Sequence, residues 1–241
     1  MRASSAATWE ILRGEGESNH SLILLATMRH GCAEPGERFP DWERDFARSA
    51  PLELEIGPGR GGFALEHAAR HPEIDLVAIE ARRSDCELIR ARAARRGLRN
   101  LAVIQGDARL LVPRFFPAGS LSAVHLHFPD PWWKTRHHKR RVIDVELAAL
   151  LRRILKKGGQ IEFRTDVAAY AREAERTWLE AGFEKLPDVP PEVLSTRERR
   201  YAGKGQPVFR ARFENPIPGG DVRPVEITGR TGREWRDVRR K

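Results

Sequence analysis

Three acids in this 241-residue chain stand beside turns where a carboxylate would meet a bound ligand. Glu55 immediately precedes Gly57-Pro58-Gly59-Arg60-Gly61-Gly62, Glu80 follows Gly59 by 21 residues, and Asp107 lies in Gln105-Gly106-Asp107-Ala108. Glycines let the backbone turn tightly and approach a ligand, and an acid at the spacing of Glu80 accepts hydrogen bonds from ribose hydroxyls. A dinucleotide would fit the loop and Glu80 equally well, with its pyrophosphate on the helix N-terminus. Glu55 argues against it, since a carboxylate beside the loop repels phosphates and favours a cofactor carrying an amino group and a sulfonium. Asp107 is placed to accept from an adenine amine. Together the three acids, with Gly57 and Gly59 at the close approach, point to S-adenosylmethionine. The bland alternative for some of them is a helix N-cap.

A second group begins at Phe128-Pro129-Asp130-Pro131-Trp132-Trp133-Lys134 and continues through Arg136, His137, His138, Lys139, Arg140 and Arg141. Two prolines fix the backbone around Asp130, the paired tryptophans offer faces on which a base can stack, and the cations can take phosphates. The formal net charge of +9 and pI near 10.2 favour a polyanionic partner, though a basic composition alone does not identify one.

The elements that must position these residues follow from alternation along the chain. Short apolar runs at 52–56, 76–79, 101–104, 123–128 and 160–163 alternate with helical patterns at 63–70, 86–95, near Leu110, at 145–155 and at 167–181. This implies an α/β, Rossmann-like domain with a mostly parallel sheet and helices on both faces. The helix from Val145 is expected to close with Lys156-Lys157 in its last turn and Gly158-Gly159 as its cap. Late strands are expected at 183–186 and 208–213, the second antiparallel at the sheet edge. Residues 1–48 read as a poorly ordered or loosely packed extension, 49–214 as the catalytic domain, and the Pro- and Gly-rich stretch 215–241 as a disordered tail.

With these residues in place, the sequence resembles the bacterial tRNA (guanine-N7)-methyltransferase family from about Leu52 to Phe213. The resemblance rests on Glu55-Ile56-Gly57-Pro58-Gly59, Ile79-Glu80, Gly106-Asp107-Ala108, the block from Phe128 to Arg141, Thr165-Asp166, and Thr196 to Arg200 with Gly205-Gln206-Pro207-Val208. It implies a class I S-adenosylmethionine-dependent methyltransferase acting on a guanosine of the tRNA variable loop. Glu55, Gly57, Gly59, Glu80, Asp107, Ala108 and Asp130 would contact the methyl donor, with Asp130 also at the catalytic position. Lys134, Asp166 and the segment holding Thr196, Glu198 and Arg199 would hold the guanosine and its surroundings. The family carries Thr-x-aromatic-Glu before a basic residue; here Thr196-Arg197-Glu198-Arg199-Arg200 lacks one residue, which aligns Glu198 with the family's Glu. The stretch before the first strand also lacks a basic, glutamine-containing arm.

Other residues have plainer readings. His125 and His127 alternate with apolar neighbours and so share one face of their strand, and no metal site is expected from spacing alone. Trp178, Leu179 and Phe183 read as core, and Arg92, Arg95, Arg96 and Arg99 as a solvated face. Two cysteines, Cys32 and Cys86, exclude a disulfide framework and suit a reducing compartment, so the cytoplasm is expected. No membrane or targeting segment is read, and a monomer or weak homodimer is expected. The competing functions are methylation of a small molecule or protein on the same fold, and a catalytically silent RNA-binding module.

Overall fold

A computed structural model describes residues 40–130 and 143–217. Lys134, the paired tryptophans, the basic run to Arg141, most of the N-terminal extension and the tail from residue 218 therefore lie outside the described residues.

The expected alternation produces β1 (Leu52–Ile56), α2 (Gly62–Arg70), β2 (Asp75–Glu80), α3 (Arg83–Arg95), β3 (Leu101–Gln105), α4 (Ala108–Phe115), β4 (Leu121–His127), α5 (Val145–Ile154), β5 (Leu155–Thr165) and α6 (Ala168–Glu180). α1 (Trp42–Phe46) precedes them, and β6 (Glu184–Lys185), α7 (Thr196–Ala202) and β7 (Phe209–Glu214) follow. The sheet order is β3-β2-β1-β4-β5-β7-β6. β1 to β5 are parallel, and β7 is antiparallel to both β5 and β6. The strand order reverses between β1 and β4 while the strands stay parallel, and in an open α/β sheet the carboxyl ends at such a switch point are where ligands bind.

The two faces of the sheet differ in chemistry. Leu54, Ile56, Val77, Ile79, Ile104, Val124, Leu126, Ile161 and Phe163 point to one side, where α4, α5 and α6 seal them with Leu111, Leu151, Tyr170 and Trp178. On the other side, Leu76, Ala78, Leu101 and Val103 pack under α2 and α3 against Leu65, Cys86 and Ile89. The odd-numbered positions of the central strands on that side are ionisable: Glu53 and Glu55 from β1, with His125 and His127 from β4. β5 adds Glu162 and Arg164, with His125 beside Glu162 and His127 beside Arg164.

Several local expectations are corrected. α5 stops at Ile154, and residues 155–159 start β5 instead of capping the helix. Leu155 is fully buried beneath the sheet, and Asn215 takes the place of a glycine cap by donating from Nδ2 to the carbonyls of Arg152 (3.1 Å) and Leu155 (3.0 Å). Asn215, placed in the tail by sequence, is thus buried structure. The edge strand is β6, with β7 inside it, because Phe183 anchors the chain against Trp178 before the last turn. α1 lies within the expected extension yet joins the core: Asp41 caps it, Trp42 Nε1 donates to the Phe115 carbonyl at 3.0 Å, and Trp42 stacks on Phe116. A single turn is too short to show a helical period. Trp178 and Phe183 are core, whereas Leu179 on the same helix is exposed. Among the described residues no helix is long and apolar enough to cross a membrane.

Candidate active site at the carboxyl end of the sheet

Gly57 and Gly59 adopt φ of +72° and +56°, and the space where a Cβ would stand is open at both for 4 Å. An L side chain there would be strained and would fill a cradle that a ligand can approach. The loop is tied to its neighbours: Gly57 N donates to the Ile79 carbonyl at 2.9 Å, and Gly59 N to Glu80 Oε2 at 3.0 Å. The other Glu80 oxygen accepts from Arg82 N at 2.9 Å, so this carboxylate bridges the ends of β1 and β2. Gly106 N donates to the Glu80 carbonyl, bringing Asp107 and Ala108 alongside. Asp107 caps α4, accepting from Arg109 N at 2.9 Å, which is the plainer of the two readings weighed for it. Arg92, expected among solvated arginines, reaches back to donate to the Arg60 carbonyl, while Arg95, Arg96 and Arg99 are exposed.

Glu55 lies deeper than the other acids. It is 2% exposed, and burial pushes its carboxyl up to about 8. Its Oε2 has no hydrogen-bond partner among the described residues, and Oε1 stands 3.8 Å from His127 Nδ1.

Asp130 is exposed at the end of β4. The chain reaches it through Phe128, whose φ of +51° is unfavourable for a bulky side chain, and whose N–H donates to the Arg164 carbonyl at 2.7 Å. Backbone strain of this kind persists only where surrounding contacts enforce it. Tyr201 packs edge-on to the Phe128 ring, and the Arg197 guanidinium lies 5.3 Å from its centroid. The Tyr201 hydroxyl donates to Asp166 Oδ2 at 2.8 Å, so Asp166, just past β5, is fixed beside the same strained turn.

α7 carries Thr196, Arg199 and Tyr201 into this region. It begins with a capping box: Ser195 Oγ accepts from Glu198 N, and Glu198 Oε2 accepts from Ser195 N. Thr196 seats directly on the end of the glycine-rich loop, since a Cβ on Gly62 would come within 2.0 Å of Thr196 Oγ1. Ser195→Ala should cost about 1 kcal/mol of stability in denaturant unfolding; an unchanged midpoint would mean that α7 does not depend on its cap.

Glu198 does not face the crevice as expected. It is 1% exposed, with Oε2 accepting from Arg164 Nη1 at 2.5 Å and Oε1 from Arg210 Nε at 3.1 Å. Burial alone would raise its pKa, but these donors and Ser195 N hold the carboxyl below its usual range. Its oxygens are committed to the protein, which makes it a brace for α7. Thr196 and Arg199 are exposed nearby. Arg164, Tyr201 and Ser195 were not singled out by sequence; the S-x-x-E spacing of Ser195 and Glu198 was the available signal for the last.

Beneath the loop, His125 lies between two carboxylates, 2.8 Å from Glu53 Oε2 and 3.0 Å from Glu162 Oε2. Burial disfavours its charge, but these partners outweigh burial and raise the ring to about 9. For His127 burial outweighs the pull of Glu162 at 3.5 Å and drops the ring to about 4. Glu53 and Glu162 are partly buried, which would raise them, but their histidine hydrogen bonds hold both well below the usual carboxylate range.

A family model described as "Putative methyltransferase" matches residues 49–211. The tRNA (guanine-N(7)-)-methyltransferase of Anaeromyxobacter dehalogenans is 52% identical over 182 residues, covering 72% of this chain and 90% of its own. That of Myxococcus xanthus is 48% identical over 184 residues, covering 73% and 89%. The chain belongs to the tRNA (guanine-N7)-methyltransferase family. Membership in the tRNA (guanine-N7)-methyltransferase family makes it an enzyme and agrees with the resemblance read from its motifs. Solved structures share the fold: the 16S rRNA methyltransferase KamB matches with a TM-score of 0.55 at 19% identity, covering 76% of this chain and 95% of that one. The aminoglycoside resistance methyltransferase NpmB1 matches at 0.51 and 18%, covering 74% and 94%. The fold is therefore the Rossmann-like fold of class I methyltransferases, built here with the edge pair β7 and β6.

Proposed function

We propose that the protein transfers the methyl group of S-adenosylmethionine to N7 of a guanosine in tRNA, position 46 of the variable loop, giving 7-methylguanosine and S-adenosylhomocysteine. One observation carries this reading: the open glycine cradle, Glu80 and Asp107 converge at the same end of the sheet as the exposed Asp130 on its strained approach. The residues fit such a donor, because the cradle admits a ligand to the backbone, the acids offer acceptors, and a buried Glu55 oxygen stands unpartnered below. In this reading Gly57 and Gly59 give the close approach, Glu80 accepts from the ribose, Asp107 and Ala108 border the adenine, and the buried Glu55 carboxyl lies beneath, where a bound cationic donor would favour its ionised form. S-adenosylmethionine supplies an electrophilic methyl group on a sulfonium.

Guanine N7 already carries a lone pair. The N7–C bond forms as the C–S bond breaks, the thioether leaves neutral, the purine becomes cationic, and no proton is removed. The protein need only align the atoms and favour the developing charge. Asp130 does this as an orienting anion, with no general-base duty. Since N7 attacks, the base is held by its opposite edge, where Asp166 accepts from ring and amino N–H groups. Thr196, Arg199 and Lys134 complete the hold on the nucleoside and its phosphates, and the cytoplasm is the compartment that supplies the tRNA.

The test is to incubate the purified protein with labelled S-adenosylmethionine and unmodified tRNA, digest to nucleosides and identify the product. Labelled 7-methylguanosine that disappears when position 46 of the tRNA is changed from G to A supports the reading. Tight cofactor binding with label in some other nucleoside, or in none, defeats the substrate. Within this scheme Asp166→Asn should cut kcat/KM by about 10–100-fold, the worth of a hydrogen bond to a charged group. Tyr201→Phe, which only frees Asp166 to turn, should cost less; equal rates for all three proteins would remove Asp166 from the site.

A further inference from the structure

We propose that Glu53, His67 and His125 form a binding site for a divalent transition-metal ion of the zinc class, on the α2 face of the sheet and apart from the methyl-transfer crevice. Three separate elements supply the donors: β1 gives Glu53, α2 gives His67 and β4 gives His125. Both ring Nε2 atoms stand 2.8 Å from Glu53 Oε2, and all three donor atoms lie within 4.8 Å of one another. Bonds of about 2.0–2.1 Å to nitrogen and oxygen in a tetrahedron set donors about 3.3 Å apart, so each histidine needs to open from Glu53 by only about 0.5 Å.

The ring of His125 adds an independent observation. Its second nitrogen, Nδ1, is 3.0 Å from Glu162 Oε2, and Glu162 Oε1 in turn accepts from Arg164 Nε at 3.0 Å. A carboxylate on the far nitrogen of a ligating histidine fixes its tautomer and raises its basicity, which is the usual outer arrangement of a metal-bound imidazole. Two histidines and one carboxylate suit zinc and its neighbours better than calcium or magnesium, which take all-oxygen sets.

Local charge favours this triad over the adjacent one of His125, His127 and Glu162. Both histidines of the adjacent triad are buried, and the Arg164 guanidinium contacts Glu162 directly, adding positive charge where a cation would enter. The side chains of His67 and Glu53 keep 13% and 14% exposure, leaving a fourth position that water can reach. His71 packs against the His67 ring at that opening, 3.5 Å from Glu192. Bound there, the ion ties α2 to the two central strands. The competing occupant is a proton shared between His125 and its two carboxylates.

The test uses the full chain without a histidine tag, stripped with chelator, re-equilibrated with zinc, passed through gel filtration and assayed for metal by mass spectrometry. The expected result is about one zinc per chain for the wild type and for the His137→Ala/His138→Ala control. His67→Ala should retain less than about a tenth of that, and Glu162→Gln should weaken affinity by about 10–100-fold. Thermal unfolding should rise with zinc in the wild type and not in His67→Ala. Should His67→Ala fail to fold, the wild type loaded with cobalt decides: intense visible bands of a four-coordinate site support the proposal, and a pale six-coordinate spectrum overturns it. Wild type that retains no zinc, or a folded His67→Ala that retains as much as wild type, also overturns it.

Discussion

Asp130→Ala should lower kcat for 7-methylguanosine formation by about 10²–10³, the usual effect of removing one preorganised electrostatic group from a transition state. The side chain is exposed at the end of β4, so its loss leaves no cavity and the unfolding midpoint should be unchanged. The expected split follows from the chemistry. The substrate purine is neutral and the product purine is cationic, so an anion beside it favours the late part of the step more than the bound ground state. kcat should therefore fall while KM for tRNA moves little. Asp130→Asn separates charge from position, since it keeps shape and hydrogen-bonding capacity and loses the charge. If Asn restores the rate to within a few-fold of wild type, the negative charge is irrelevant and Asp130 only orients.

Arg164→Met should destabilise the fold by about 3–5 kcal/mol, the cost of breaking a buried ion pair by removing one partner. Arg164 is 1% exposed; Nη1 donates to Glu198 Oε2 and to the Val193 carbonyl, while Nε and Nη2 engage Glu162 Oε1. Its replacement leaves the buried Glu198 with only Arg210 and the Ser195 N–H among the described residues, and removes one partner of Glu162, which keeps His125. Chemical denaturation measures the loss, and a change below about 1 kcal/mol would show that the network is solvated or otherwise redundant. Adding Glu198→Gln to Arg164→Met should return part of the loss, because one orphaned charge is then removed; strict additivity would deny the coupling. The activity of Arg164→Met should fall as well, since Glu198 braces α7 and α7 seats Thr196 on the loop at Gly62.

Much of this was legible in the chain itself. The loop at Gly57 to Gly62, the acids at 80 and 107 and the strand before Asp130 all announced themselves, because each depends on residues close in sequence. Glu198 did not. The resemblance aligned it with a substrate-holding Glu, and its place in the interior could not be read locally; only the fold brings Arg164, 34 residues away, and Arg210, 12 residues away, onto its oxygens. The same holds for His125. Alternation placed it on one face with His127, but its partner Glu53 is 72 residues distant and Glu162 is 37 distant. The end of α5 was misjudged for a related reason. Lys156-Lys157-Gly158-Gly159 is a sound local stop signal, yet Asn215, far along the chain, takes over the capping and frees those residues to start β5.

The ionisable layer on the α2 face also bears on how the central strands find their alignment. A slip of β4 by one residue would exchange His125 and His127 for Val124 and Leu126. Two imidazoles would then enter the face sealed by α4, α5 and α6, while Glu53 and Glu162 lost their partners. An all-apolar pair of faces would tolerate that slip far better, since valine and leucine are at home on either side. Glu53, His125 and Glu162 thus act as a key cut across three strands, admitting one alignment of β1, β4 and β5. The crevice above inherits its accuracy from them, because the ends of those same strands carry the glycine loop, Asp130 and Asp166.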